Sequence, residues 1–194
     1  CYRGGGVKAT VVAIEPVPST FVHLRNNAVL NGLEDRVELH CAGVSDCAGE
    51  MQFTSQLDTV NHVLADGEQG PSIRVPVMPL DGVLAGRAPA LIKIDVEGHE
   101  LAVLMGAQAT LADDRLKAVL METNGSGARY GIDDAQLLGA MAAHGFTPFG
   151  YDPVSRRLQP WNASLGNTVF VRDAAFVEAR TASSRKYRLV NGEI

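Results

Sequence analysis

Residues 91–100 read LIKIDVEGHE. Leu91, Ile92 and Ile94 make a short apolar run, too brief for a helix and suited to a strand buried on both faces, with Lys93 snorkelling or pairing with a nearby acid. Asp95 ends the run and Gly98 supplies a tight turn. Leu101, Leu104, Met105 and Leu111 then recur as the inner face of one helix. A buried strand leading through a glycine turn into a helix is the building unit of an α/β protein.

The same unit appears on either side. Val11-Val12-Ala13-Ile14 is an apolar strand ended by Glu15-Pro16. Pro18, Ser19 and Thr20 open a helix with Phe21, Leu24 and Ala28 at helical spacing, and Asn31-Gly32 stops it. Strands are predicted from Val37 to Ala42, Leu116 to Met121, Gly145 to Tyr151 and Asn167 to Arg172, with helices near Leu80 to Leu84 and from Asp133 to His144. Met51 to Thr54 and Ile73 to Met78 read as additional, partly exposed strands. Pro71, Pro76 and Pro79 make the second of these an edge or irregular strand, and Gln56 to Gly70 reads as a mobile loop. Alternation of this kind predicts a mostly parallel sheet covered on both faces.

The chain has 194 residues, 46% hydrophobic and 20% charged, as expected of one globular domain over residues 1–180 with a polar C-terminal tail over 181–194. Its formal charge of −5 and scattered basic residues argue against a nucleic-acid partner. No apolar run approaches the roughly 20 residues of a membrane span, and no signal-peptide pattern is present. Cys1, Cys41 and Cys47 lack paired spacing and point to a reducing compartment, read as the cytoplasm. The chain opens at Cys1 and passes through Gly4-Gly5-Gly6 straight into a strand, so an N-terminal portion is expected to precede it.

In an open α/β sheet, ligands sit beyond the carboxyl ends of the strands. The residues in those places are Glu15, Ser45-Asp46, Asp95 with Glu97, and Glu122 with Asn124. A carboxylate near an apolar interior is costly without a partner, so acids at successive strand ends point to a neutral-to-cationic, hydroxyl-rich ligand. An acid in the position of Glu15 can accept hydrogen bonds from both ribose hydroxyls of a nucleoside.

VVAIEP with the following NNAVLNG, then VELHCAGVSDCAGEMQF, VPVMPLDGVL, LIKIDVEGHELAVLMGA and NTVFVR, spread over about residues 7 to 172, resemble in order and spacing the FkbM family of S-adenosylmethionine-dependent methyltransferases. The resemblance implies the Rossmann-like class I methyltransferase fold, an α/β architecture with a mostly parallel sheet and an antiparallel last strand. It implies methyl transfer to an oxygen of a small molecule, a sugar or a natural-product intermediate. It also implies that Glu15 holds the ribose of S-adenosylmethionine, that Ser45 and Asp46 lie by the adenine, and that Asp95 sits at the methionine end beside the acceptor. The family's earlier strand and its glycine-rich turn have no counterpart before Val11, so the sheet is expected to lack its first strand.

Transfer from an activated sulfonium asks mainly for in-line positioning, with a base needed where the acceptor hydroxyl must lose its proton. Asp95 and His99 are the candidates. Asp95 ranks first, because a strand end faces the crevice whereas a first-turn helix residue such as His99 can point to solvent. Glu97 and Glu100 precede or open that helix, where the dipole favours negative charge, and one of them reads as electrostatic trim. A divalent metal between Asp95, Glu97 and Glu122 is conceivable, since hard cations take carboxylate oxygens, but alternation along an extended stretch could equally separate their directions, and the site is read without a metal. The alternative reading is a non-catalytic nucleotide-binding or structural Rossmann-like module. A nicotinamide-dependent oxidoreductase is disfavoured by the lack of a G-x-G-x-x-G opening a strand–helix unit. Acceptor choice is assigned to the loops from Gln56 to Gly70 and from Gly125 to Gly131.

Overall fold

The computed structural model describes residues 9–57, 60–186, 188–189 and 192–193. Cys1 and Gly4 to Gly6, with the expectation attached to them, lie outside these residues. The apolar run Val11–Ile14 forms β1, and helix α1, Pro18–Leu30, carries it back to β2, Val37–His40. Pro18 suits the helix start because its missing N–H would have been unpaired there, and Gly32, at φ 59°, takes the left-handed turn after it. β1 and β2 pair in parallel from Val11 opposite Val37 to Ile14 opposite His40.

Next comes a small three-stranded sheet of β3, Gly43–Val44, β4, Gly49–Thr54, and β5, Ser72–Met78, in the order β3-β5-β4. The strand expected to run to Ala42 therefore ends at His40, and a separate strand begins at Gly43. β5 is central rather than the edge strand expected from its prolines. The Met78 carbonyl accepts from Ser45 on the β3 side; residues two apart share a side, so Pro76 turns its nitrogen the same way. β3 pairs only with Val77 and Met78, and the missing N–H interrupts no ladder.

The remaining elements are α2, Leu80–Leu84; β6, Leu91–Ile94; α3, Glu100–Met105; α4, Gln108–Ala112; β7, Ala118–Glu122; α5, Asp134–Ala143; β8, Thr147–Asp152; β9, Arg157–Pro160; β10, Asn167–Val171; and α6, Ala174–Ala182. Two short strands, β11, Arg188–Leu189, and β12, Gly192–Glu193, pair antiparallel. The main sheet has the order β6-β7-β10-β8-β9. β6 and β7 are parallel, and β10 runs antiparallel to both its neighbours, β7 and β8. β9 adds a further antiparallel edge, so the ladders of this sheet are mostly antiparallel, against expectation. The cause is the insertion of β10 between two strands that themselves run the same way. Among the described residues β1 pairs only with β2, and β6 only with β7.

The core lies under β7 and β10. Val119 opposite Phe170, and Met121 opposite Thr168, are fully buried. They pack with Leu104, Leu111, Leu116 and Met141, and the edges of Val12 and Ile14 reach the same cluster. Each large apolar side chain removed from water here contributes about 1.5–3 kcal/mol. α5 begins with a capping box between Asp133 and Gln136, which satisfies two otherwise unpaired amides of the first turn.

The single helix expected across Leu101 to Leu111 is two. Asp81 caps α4 from outside, accepting from the amides of Ala109 and Thr110 at 2.8 and 2.9 Å, while its own amide donates to the Gly106 carbonyl. α6 continues past residue 180, so the tail expected from 181 starts within its last turn. Arg156 is buried at φ 58° and donates to the carbonyls of Ser184 and Arg185, holding the chain beyond that helix.

Candidate active site at the strand ends

β1 and β6 deliver their last residues to one cleft of about 130 Å³, whose walls include Glu15, Val44, Phe53, Asp95, Glu97 and His99. Glu15 is half-buried. Burial pushes its carboxyl above the ordinary range, and the Val17 amide, donating to Oε1 at 2.8 Å, partly offsets this. A larger cleft, about 290 Å³, lies at the amino-terminal ends of β1 and β2 beside Glu34, Arg36 and Arg87. It is on the opposite end from the one α/β sheets use for ligands.

The turn after β6 departs from extended backbone. Glu97 has φ 54° and Gly98 φ 105°. At Gly98 a Cβ would stand 2.6 Å from the Ser126 carbonyl oxygen, so only glycine lets this turn meet the one following β7. Glu97, in this left-handed turn, lies close to Asp95 and Glu122. Carboxylate oxygens of Asp95, Glu97 and Glu122 fall within 4.8 Å of one another. Lys93 ion-pairs with Asp95 and the Asn124 amide donates to Glu122 at 2.9 Å, so donors already engage two of the three. Burial, then repulsion from Asp95, Glu97 and Glu100, raises the Glu122 carboxyl against the opposing pull of Lys93. Glu100 is no surface trim: it is 1% exposed and accepts from the Gly98 amide at 3.0 Å. Burial raises its carboxyl, with amides of its own turn acting the other way.

His99 precedes α3 and turns inward rather than to solvent. Its Nε2 lies 3.1 Å from the Ser45 hydroxyl, which in turn donates to Asp46 at 3.1 Å. Burial lowers the His99 pKa, and the charge of Asp46 partly restores it. Ser45 is wholly buried, and neither it nor Asp46 is among the residues lining the cleft. The site thus brings Glu15, Asp95 and His99 onto one surface and joins Ser45 and Asp46 to it through the imidazole.

Tyr130 was not singled out from the sequence. Its ring meets His99 edge-on, centroids 5.8 Å apart, and its hydroxyl donates to the Val63 carbonyl at 2.5 Å. It thereby joins the two loops assigned to acceptor choice. The expected mobile loop is tied in its described part: Val63 bridges to Phe53, His62 lies 3.0 Å from Glu68, and Thr54 donates to Asn61. The only sequence signal for Tyr130 was its place in the second acceptor loop.

The fold is mixed α/β, with acids and a histidine gathered at its strand ends, where open α/β sheets take their ligands. The chain belongs to the methyltransferase FkbM family, whose domain matches residues 1–148. Its fold is similar to the crystal structure of methyltransferase FkbM from Methylobacillus flagellatus KT, with a TM-score of 0.52 at 18% identity. That alignment covers 84% of this chain and 36% of the other, so the chain spans about a third of that protein's length. A search of curated proteins returns no significant match.

Proposed function

We propose that this domain is an S-adenosylmethionine-dependent methyltransferase acting on an oxygen of a small molecule, a sugar or a natural-product intermediate. The observation that carries the reading, beside family membership, is that Glu15 and Asp95 end different strands yet line one cleft. A half-buried carboxylate with one oxygen held by a backbone amide fits a ribose, whose hydroxyls supply the donors its burial calls for. The cleft is smaller than the roughly 300 Å³ of a typical ligand pocket. The residues that line it suit part of the nucleoside, with Glu15 toward the ribose; Ser45 and Asp46, which the family resemblance puts by the adenine, lie outside the lining and reach it through His99. Asp95 faces the methionine end.

When bound, S-adenosylmethionine supplies a methyl group already activated on a sulfonium. Glu15 anchors the ribose, Phe53 and Val44 exclude water from one wall, and Asp95 or His99 takes the proton of the acceptor hydroxyl. The exposed thiols of Cys41 and Cys47 accord with a reducing compartment such as the cytoplasm. Among the described residues no helix is long and apolar enough to cross a membrane.

Calorimetry with S-adenosylhomocysteine, followed by a screen of hydroxylated acceptors with methyl-labelled cofactor, tests the reading. Binding together with label transfer supports it. Binding with no transfer to any acceptor would favour the non-catalytic nucleotide-binding module, and no binding would remove both.

A further inference from the structure

The hydrogen-bond chain between the β3–β4 turn and α3 fixes where the protons of His99 sit. A carboxylate only accepts, so the single proton of the Ser45 hydroxyl goes to Asp46. The serine oxygen is then the acceptor in its contact with His99, and Nε2 must carry a hydrogen. Burial disfavours the imidazolium, which leaves the ring neutral and Nδ1 bare.

Nδ1 has no hydrogen-bond partner among the described residues, and no buried side-chain nitrogen or oxygen there lacks one. It is therefore the accessible nitrogen of a ring that lines the cleft. The Tyr130 edge, inclined at 74°, restrains ring rotation. The charged and titratable groups around the ring are Asp46 from the β3–β4 turn, Tyr130 from the turn after β7, Asp95, Glu97 and Glu100 of its own segment, and Glu15 from the end of β1. A serine, a histidine and an aspartate in contact also suggest a hydrolase nucleophile, but Ser45 is fully buried and the aspartate bonds the serine instead of the imidazole. That order suits a relay that sets a tautomer.

We infer that Ser45 and Asp46 are positioning residues that hold His99 in its Nε2–H tautomer and so present Nδ1 to the cleft as its proton acceptor. The identity of the proton rests on the methyltransferase reading. The acceptor O–H bond breaks and its proton passes to Nδ1; the oxygen bonds to the methyl carbon; the carbon–sulfur electron pair stays on sulfur. The imidazolium that results keeps its Nε2–H bond to Ser45, with the Asp46 charge behind it.

The test is a long-range proton–nitrogen spectrum of the full chain labelled with 15N-histidine, the His99 signals being identified by their loss in His99→Gln. A protonated Nε2 and a bare Nδ1 are expected in the parent, with the other tautomer appearing in Ser45→Ala and in Asp46→Ala, the latter at an exposed position that leaves the core intact and without an acceptor for the serine proton. A bare Nε2 in the parent, or spectra unchanged in both variants, would overturn the inference. Saturating the same sample with S-adenosylhomocysteine should move Nδ1 and leave Nε2–H in place; bound product that leaves Nδ1 unmoved also overturns it. Failure of the product to bind would count against the methyltransferase reading alone, because the tautomer is read without it.

Discussion

Gly106 lies so close to Ser45 that a Cβ built on it would stand 2.0 Å from the Ser45 carbonyl oxygen. This contact presses the end of α3 against the residue that holds His99, and the chain has to break there before α4 starts. Gly106→Ala forces one backbone away from the other, and overpacking of this kind costs about 3 kcal/mol. Urea denaturation should show that loss, together with a changed His99 ring signal. A variant of parent stability would mean that the two segments are not packed against each other as described.

Glu100 is buried with its carboxyl raised above 4.5. A raised acid binds its proton more tightly in the folded than in the unfolded state, so its contribution to stability falls as pH rises from 4.5 through the raised value. Glu100→Gln keeps an oxygen to accept from Gly98 and removes the buried charge. It should equal or exceed the parent in stability at neutral pH, with a flatter dependence across that window. Melting temperatures across that pH range check this; a strongly destabilised Gln variant at neutral pH would show that the charge itself is needed.

Much of the scaffold could be read from local pattern. VVAI and LIKI form the strands that their short apolar runs predict, although Leu91 is exposed rather than buried as expected, and the helix read from Asp133 to His144 is α5. β9 was missed because RLQP is mostly polar, as an edge strand can be, and nothing in its pattern separates it from a loop. The break between α3 and α4 comes from Asp81 and Ser45, both distant in sequence, so helical periodicity alone could not reveal it. The site divided the same way. Strand ends gave Glu15 and Asp95 and the following helix start gave His99, whereas Ser45 to His99 and Tyr130 to Val63 are contacts across the fold with no local period. Asp95, Glu97 and Glu122 converge from two different strand ends, with Glu97 in a left-handed conformation, and neither a contact across the sheet nor a non-glycine positive φ is written in composition.

Glu15 should matter to cofactor affinity through its charge. Hydrogen bonds to a charged acceptor contribute about 1.5–3 kcal/mol, so Glu15→Gln is expected to weaken S-adenosylhomocysteine binding by roughly 10- to 100-fold. Because burial raises its carboxyl, parent affinity should begin to fall at a higher pH than an ordinary glutamate would allow, as acidification protonates the acceptor. Calorimetry over the acid range measures both effects. Unchanged affinity in the variant would take Glu15 out of the site.

Burial foremost holds the Tyr130 phenol up at about 12, which keeps it a donor to Val63 at any working pH. Tyr130→Phe removes that bond and retains the ring against His99. A hydrogen bond of about 1 kcal/mol corresponds to roughly fivefold more opening of the loop it ties. Hydrogen exchange should rise by that factor at the Leu64 amide, which donates to the Gln52 carbonyl at 2.7 Å, while exchange in β7 stays as it was. Equal protection in the variant would mean that His62 and Asn61 hold the loop without the tyrosine.

The strand-end carboxylate and the histidine can be told apart by rate. Asp95 is exposed and ion-paired with Lys93, so Asp95→Asn chiefly releases a lysine and should slow methyl transfer by less than about tenfold, below the range of a true base. His99 lines the cleft with its Nε2 occupied by Ser45, and His99→Gln removes the only imidazole among the described residues that line it. A general base contributes about 10²- to 10⁴-fold, and the loss should fall in that range in single turnovers on a saturated complex with an acceptor from the screen. The parent rate should decline as pH falls through the His99 pKa, which burial sets below 6.5, and this limb should vanish in His99→Gln. A larger loss for Asp95→Asn, with the acid limb intact in the histidine variant, would return the role of base to the aspartate.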